Sequence, residues 1–424
     1  MTEFSPPRGT QDYLPPESER LENLAGLAAF VAGTFGFRRI ETPAFEHTDL
    51  FVRGVGQTSD VVTKEMYTFE DQGGRSLTLR PEGTAPVMRA YLNNRQGLPV
   101  PFKAYYVVPM FRHERPQTGR MRQHTQFGVE IIGTDAPLAD VEVIAVGHRF
   151  LTEEPNPLVG RIGLFLNSIG DDVCRPAYRQ ALIAFLEERA DQLRDEHRDR
   201  WRINPLRVLD CKDPICREVT EDAPKTLDFL CDPCRRHFGG VQEGLREEAI
   251  PFQIDHRLVR GLDYYTRTAF EFVSDVLGPT QSTLCGGGRY DGLAKALGGP
   301  TTPGVGFGLG LERVLLAMDR EGRPPPEGDR WGREGVFVVA IGDEARHEAR
   351  AVVRELRGIG YRAESALEDR PLKAQLKMAD RAGGTYAVII GEQEMRDGVV
   401  TVRDMEKGTQ ERMKRKELVS WLTR

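Results

Sequence analysis

In "GVGFGLGLERVLL" (residues 304–316), glycine occupies 304, 306, 308 and 310, and Val305, Phe307, Leu309 and Leu311 fill the positions between. A period of two belongs to a strand, whose successive side chains point to opposite faces. One face is then apolar core and the other bare backbone. Tight packing of strand on helix would account for one or two such glycines. Four in alternation point to a flat ligand or another backbone approaching closely. Glu312 and Arg313 follow at the opening of a helix, which sets a fixed cation at the edge of the ligand face.

The same parity test applies upstream. "KAYYVVPMFRHE" (103–114) and "HTQFGVEIIGT" (124–134) read as two strands joined by the polar, basic loop "RPQTGRMRQ" (115–123), hence a long antiparallel hairpin. Gln126, Gly128 and Glu130 share one face, and Phe127, Val129 and Ile131 the other. Arg112 and Glu114 share a face away from Phe111. The plain interpretation is a half-exposed sheet with cross-strand ion pairs; the sharper one is a cleft floor that recognises a polar, charged small molecule. "LRPEGTA" (79–85) and "CGGGRYDGL" (285–293) add Glu82, Thr84, Arg289 and Tyr290. In "LVRGLDYYTR" (258–267), Arg260 stands among apolar and aromatic neighbours, so it is either salt-bridged in a strand or part of a pocket wall that receives an anion. Neither a G-x-x-x-x-G-K-[ST] loop nor a G-x-G-x-x-G turn after a strand is present. A nucleotide would therefore be held by separate arginines, whose bidentate, permanent charge suits phosphate oxygens.

A chain of 424 residues predicts two to three domains. Residues 18–37, "SERLENLAGLAAFVAGTFGF", carry apolar residues at helical spacing up to a glycine stop. From about 170 to 250 the chain turns charged and mostly helical. "DREGRPPPEGDRWGREG" (319–335) is the clearest linker, placed at 326–334. Residues 1–325 thus form one domain with an insert. Beyond the linker, "VFVVAIG", "YRAES", "YAVIIG" and "VVTVRDM" alternate with helical patterns at 344–357 and 371–382, which describes an α/β domain with a mostly parallel or mixed sheet. There is no membrane-length apolar run and no basic leader followed by an apolar core, so a cytoplasmic location is expected. The net charge of −6 gives no compositional reason to expect a nucleic-acid partner.

Together these segments resemble class II aminoacyl-tRNA synthetases, and within them the histidyl-tRNA synthetase family, nearly end to end. "PPRGTQDYLP" looks like the family's N-terminal signature. "FGFRRIETPAFE", with Pro43, looks like its first motif at the dimer interface; residues 111–133 and 304–314 look like the second and third. "LVRGLDYYTRTAFEF" and "CGGGRYDGL" look like the two segments peculiar to the histidine enzyme. The resemblance implies an α+β catalytic domain whose antiparallel sheet is flanked by helices, and an α/β anticodon-binding domain at 335–424. It implies activation of L-histidine by ATP with Mg²⁺ to histidyl-adenylate and pyrophosphate, then transfer to the 3′ end of tRNA(His) by a homodimer. Arg112, Arg260 and Arg313 would act on the phosphates, Arg260 doing work that a metal ion does elsewhere in class II. Glu82, Gly83, Thr84, Gln126, Glu130, Arg260, Tyr264, Tyr265 and Tyr290 would hold histidine. Arg112, Glu114, Arg120, Gly306, Gly308, Gly310 and Arg313 would hold ATP. Arg115, Gln117 and Arg122 of the hairpin loop, and the stripe Lys373, Lys377, Arg381 opposite Leu372, Leu376 and Ala379, are candidates for tRNA contact; a solvated helix face is the usual meaning of such a stripe.

Two rivals share the fold. One is a synthetase-like regulatory subunit of histidine biosynthesis, disfavoured by the complete arginine set and the extra domain; the other is a prolyl or threonyl enzyme, disfavoured by the segments at 258–272 and 285–293. Finally, Cys211, Cys216, Cys231 and Cys234 fall within 24 residues as C-x4-C and C-x2-C. This is either a structural zinc site, with His237 as a substitute ligand, or a set of reduced, partly buried thiols. Cys174 and Cys285 read as ordinary buried residues.

Overall fold

A computed structural model of the chain describes residues 4–56, 59, 61–115, 119–153, 158, 162–194, 201–202, 205–209, 211, 213–259, 261–278, 282–322 and 334–423. It divides into two compact units, residues 1–327 and 328–424. The linker expected at 326–334 lies, except for Glu334, outside the described residues.

The first unit is built on an eight-stranded sheet. Its members are β1 (Arg38–Arg39), β5 (Phe102–Phe111), β6 (Gln123–Ile132), β7 (Ile162–Ser168), β8 (Gln253–Ile254), β9 (Thr266–Ser274), β10 (Thr283–Arg289) and β11 (Gly304–Gly310). They run in the order β1-β5-β6-β11-β10-β9-β7-β8. The six long strands pair antiparallel, and only the two-residue strands at the edges pair parallel. The expected hairpin is β5–β6. A small sheet of β2 (Phe45–His47), β3 (Tyr67–Glu70) and β4 (Ser76–Leu79), in the order β2-β4-β3, lies outside the large one.

Strand parity sorts the large sheet into two faces. Phe127, Val129, Ile131, Val305, Phe307, Leu309, Phe270 and Phe272 enter one core with helices Glu17–Thr34, Pro137–Thr152, Asp232–Glu247 and Leu311–Arg320. Helix Pro137–Thr152 is buried nearly all round, with Val143, Ile144, Val146, Phe150 and Leu151 fully enclosed. Each such side chain contributes roughly 1.5–3 kcal/mol relative to exposure. Phe127 meets Phe150 and Phe307 edge to face at 5.3 and 5.4 Å. Tyr106, Val108, Met110, Ala269 and Tyr290 enter a second core on the opposite face, with helices Thr48–Val55 and Thr84–Asn94. Thr84–Asn94 is started by Glu82, whose carboxylate accepts from the N–H groups of Thr84 (2.8 Å) and Ala85 (2.9 Å), two donors that the first turn leaves without helical partners.

The insert is mostly helical, as its composition implies. Helix Arg175–Glu187 packs Tyr178, Leu182 and Leu186 against Trp201 and Cys216.

In the second unit, β12 (Val336–Ala340), β13 (Ala363–Ser365), β14 (Tyr386–Ile390), β15 (Val399–Asp404) and β16 (Gln410–Lys414) form a mixed sheet in the order β13-β12-β14-β15-β16. Helices Asp343–Gly358 and Leu372–Arg381 follow the predicted pattern.

Candidate active site

The register places Gly306 and Gly308 of β11 opposite Glu130 and Gly128 of β6 on one side and Gly288 and Gly286 of β10 on the other. Side chains from neighbouring strands use the space. A Cβ on Gly306 would collide with the Glu130 carboxylate and the Val129 carbonyl; one on Gly308 with the Gln126 amide; one on Gly128 or Gly83 with the Tyr106 ring; one on Gly304 with the Tyr290 ring. Only Gly310 of the alternating set faces open space. The close approach expected on this strand is therefore made, at three of four glycines, by the site's own side chains. Gly308 and Gly310 line the cleft, and Gly306 lies beneath Glu130.

Glu130 is fully buried at the floor. Its carboxylate accepts from the hydroxyls of Thr84 (2.8 Å), Tyr106 (3.4 Å) and Tyr290. Burial pushes its pKa up to about 8, with the Glu82 charge adding to the rise and the hydroxyl donors opposing it. Burial also raises Glu82, whose carboxylate is 3.4 Å from the Tyr264 hydroxyl. The Gln126 amide donates to the Tyr106 hydroxyl at 3.0 Å. Tyr264 packs on Tyr265 at 4.6 Å and edge to face on Tyr290 at 5.8 Å. The result is an aromatic, carboxylate-bearing recess.

Above it the cleft is cationic. Arg112 is oriented by the Pro81 carbonyl (2.7 Å) and Arg313 by the carbonyls of Thr283 (2.6 Å) and Gly119 (3.2 Å). Glu114 pairs with Arg120 and lies 3.8 Å from Arg112. His124 reports the local field: burial first, then the charges of Arg112 and Arg313, push its pKa down to about 3. Arg112, Glu114, Arg120, Gln126, Tyr264, Tyr265, Glu82, Thr84 and Arg313 all line one cleft. The arrangement suits a ligand with an anionic, phosphate-like part against the arginines and a polar ring or amine in the recess.

Residues 9–314 match the family described as "Histidyl-tRNA synthetase", and residues 335–424 match "Anticodon binding domain". The histidine–tRNA ligase of Moorella thermoacetica is 50% identical over 416 residues, covering 96% of this chain and 95% of its own; that of Desulfitobacterium hafniense (strain DSM 10664 / DCB-2) is 48% identical over 410, covering 95% and 94%. The chain belongs to the histidyl-tRNA synthetase family. The apo crystal structure of histidyl-tRNA synthetase from S. aureus superposes with a TM-score of 0.81 at 36% identity, covering all of both chains. Both the class II fold and the mixed sheet of the C-terminal unit agree with the sequence expectation, and ligases matched along almost the whole chain disfavour the regulatory-subunit alternative.

Several expected residues fall elsewhere. Arg260 and Gln117 lie outside the described residues; Leu262, Tyr264 and Tyr265, which follow Arg260, line the cleft. Arg115 is exposed, and Arg122 donates to the Glu114 carbonyl at 3.2 Å. Lys373, Lys377 and Arg381 form an exposed stripe, but the opposite face differs from expectation: Leu372 is 39% exposed, and the buried centre is Ala379 with Gln375. The Gln375 amide spans Ala340, accepting from its N–H (3.0 Å) and donating to its carbonyl (2.7 Å). Arg289 is not in the cleft. It is fully buried against Asp140 (2.5 Å), which also contacts His237 at 3.2 Å.

The cysteine expectation needs correction. Cys231 and Cys234 do not meet Cys211 and Cys216; they gather with Cys174 and Asp171. Cys216 instead lies beside Cys211 among Leu182, Leu186 and Trp201. The x4 spacing joins a short helix, Pro214–Val219, and chain proximity did not reveal which pair faces the turn after β7. His237, committed to Asp140, is no ligand in this arrangement.

Tyr106, bonded to Glu130, and His124 in the cleft escaped sequence reasoning, and Glu312, read from sequence only as the opening of a helix, also lines the cleft. Tyr106 shares the face of Arg112 six positions earlier, so extending the same parity back along β5 finds it. Glu312 accepts from the Thr125 N–H at 2.7 Å and from Tyr13 at 3.4 Å. His124 carries no signal in sequence beyond its position at the start of β6.

Proposed function

We infer that this cleft is where L-histidine and ATP react, and that the chain, as a histidine–tRNA ligase, then carries histidine to tRNA(His). The observation that carries the reading is the buried Glu130 with its ring of hydroxyls, bonded to Thr84, which lines the same cleft as Arg112 and Arg313. An imidazole ring needs partners for both nitrogens, and each one left unmet costs about 1–3 kcal/mol. Glu130 accepts from the N–H of one ring nitrogen, and the Tyr265 hydroxyl donates to the other nitrogen. Glu82, Gly83, Thr84 and Gln126 surround the α-amino group, and Tyr264 and Tyr290 close the walls. Such a recess rejects apolar amino acids, which would strand its polar groups.

ATP, entering with Mg²⁺, lies with its phosphates toward Arg112, Arg260 and Arg313, with Glu114, Arg120 and the glycines of β11 along its length. The histidine carboxylate attacks the α-phosphate and pyrophosphate departs. Negative charge grows at phosphorus, and cations held in place beforehand lower that barrier without reorganising. The terminal hydroxyl of tRNA then attacks the carbonyl of the adenylate, and AMP leaves.

Arg115, Gln117 and Arg122 approach the acceptor end, and the 335–424 unit with Lys373, Lys377 and Arg381 approaches the anticodon. Binding through phosphates makes charging strongly salt-sensitive despite the acidic net charge. Half-exposed Phe45 and Phe69, with ring centroids 6.3 Å apart, support a homodimer; sedimentation at the mass of a single chain would refute it. No helix among the described residues is long and apolar enough to cross a membrane, which accords with a cytoplasmic enzyme.

Histidine-dependent exchange of pyrophosphate into ATP tests the reading. Wild-type protein should exchange with histidine and not with proline or threonine. Arg260→Ala should lower the rate by roughly 10²–10³ with the fold intact. Folded wild-type protein that fails to exchange with histidine would defeat the proposal.

A further inference from the structure

Outside the cleft, the strongest unassigned chemistry sits where the insert leaves the sheet. We propose that Asp171, Cys174, Cys231 and Cys234 bind one zinc ion, which ties the insert to the wall of the cleft. The proposal rests on this geometry and not on the substrate assignment.

The four residues form two knuckles, Asp171-x2-Cys174 in the turn after β7 and Cys231-x2-Cys234 at the start of helix Asp232–Glu247. Paired x2 spacings are characteristic of closed tetrahedral zinc sites. One ligand atom from each residue lies within 4.8 Å of all the others. The Cys174 and Cys234 sulfurs are 3.9 Å apart, and Asp171 Oδ1 is 3.3 Å from the Cys174 sulfur and 3.7 Å from that of Cys231. With Zn–S bonds of about 2.3 Å and Zn–O bonds of about 2.1 Å, tetrahedral edges are about 3.8 Å for S–S and 3.6 Å for O–S. These sulfurs and this oxygen already stand near that spacing.

The surroundings suit an anionic metal centre. Three thiolates and a carboxylate around Zn²⁺ carry a net charge of about −2. Arg267 lies 4.0 Å from Asp171 Oδ2. Helices Arg175–Glu187 and Asp232–Glu247 both begin at ligands, so their positive ends meet at the cluster. The Asp171 N–H donates to the Cys174 sulfur at 3.2 Å. Gly170 has φ +67°, and a Cβ there would stand 2.6 Å from that sulfur, so the turn has room for its thiol only with glycine.

The turn is also wired to the cleft. Arg175, next to Cys174, donates to the carbonyls of Ile169 (3.2 Å) and Tyr265, and Gly170 accepts from the Arg267 N–H at 2.7 Å. Tyr265 and its neighbour Tyr264 form the aromatic wall. The metal thus acts as a positioning element: its loss should raise the KM for histidine more than it lowers kcat.

The test is metal analysis of the full chain, purified without chelator and equilibrated with zinc. About one zinc per chain is expected. Cys231→Ser and Cys234→Ser should abolish it, whereas Cys211→Ser and Cys216→Ser should leave it unchanged. Should the serine variants fail to fold, Asp171→Cys is the second probe: it supplies a fourth thiolate, must still bind one metal, and must strengthen the thiolate-to-cobalt charge-transfer absorption after loading with Co²⁺. Less than ~0.2 zinc per wild-type chain, iron in place of zinc, zinc that survives loss of Cys234, or zinc that disappears with Cys216→Ser would each overturn the assignment.

Discussion

Glu130→Gln isolates the cost of the buried carboxylate. Glu130 is 0% exposed and rises from an ordinary value of 4.5 to about 8. The unliganded folded chain therefore holds this proton more tightly than the unfolded chain. By linkage, the contribution of this group to stability is fully present below about pH 4.5 and is lost as pH rises to about 8. Each pH unit inside that window costs about 1.4 kcal/mol, so between pH 5.5 and 8 the loss is on the order of 3 kcal/mol. Glutamine keeps the shape and an acceptor oxygen but does not titrate. All other ionisable groups are common to both proteins and cancel in the difference. In thermal unfolding without ligands, the melting temperature of Glu130→Gln minus that of wild type should move in the mutant's favour by on the order of 5 °C over this range. Saturating histidine should reverse the ranking, because a donor hydrogen bond to the ionised carboxylate is worth about 1.5–3 kcal/mol. The KM for histidine in Glu130→Gln should accordingly rise roughly 10- to 150-fold, with that for ATP little changed. A difference in melting temperature that is independent of pH would refute the reasoning.

Two further perturbations probe the floor and the roof of the cleft. Gly306→Ala should abolish histidine-dependent exchange while Gly310→Ala folds normally, since the first methyl meets the Glu130 carboxylate and a carbonyl and the second meets nothing within 4 Å; equal effects would show that the recesses do not matter. Arg112→Ala should lower exchange by roughly 10²–10³ and let His124 titrate measurably above its value of about 3, still short of an exposed histidine because burial remains. An unmoved His124 resonance in a pH titration would mean that the Arg112 charge does not reach this part of the cleft.

Strand parity made much of the site legible. On β6 it separates Gln126 and Glu130 from Phe127 and Val129 without any knowledge of partners, and β11 repeats the lesson with its glycines. Parity does not say which residue a cross-chain partner will claim. Arg289 and Tyr290 are adjacent, yet Tyr290 joins the recess while Arg289 goes to Asp140, 149 positions away. Cys234 meets Cys174 across 60 positions, whereas sequence spacing favoured its nearer neighbours. In the second unit β16 was missed because "QERMK" buries only Met413. An edge strand that is charged on most positions has no alternation to read.

The glycines also explain how such a recess can exist in the middle of a sheet. Glycine in a strand interior costs roughly 0.5–1 kcal/mol relative to alanine through lost chain entropy, and β11 carries four of them. It is held in the sheet because both neighbours, β6 and β10, bond to it along its length, and because its other face is anchored by Val305, Phe307 and Leu309. Gly128, Gly308 and Gly286 then run in register across three strands. In the adjoining row, Glu130 lies beside Gly306 and Gly288. A larger residue at Gly306 would displace the Glu130 carboxylate from the floor. The sheet sacrifices packing on one face to hold a carboxylate where water does not reach it, and that location makes its affinity for a matched donor high.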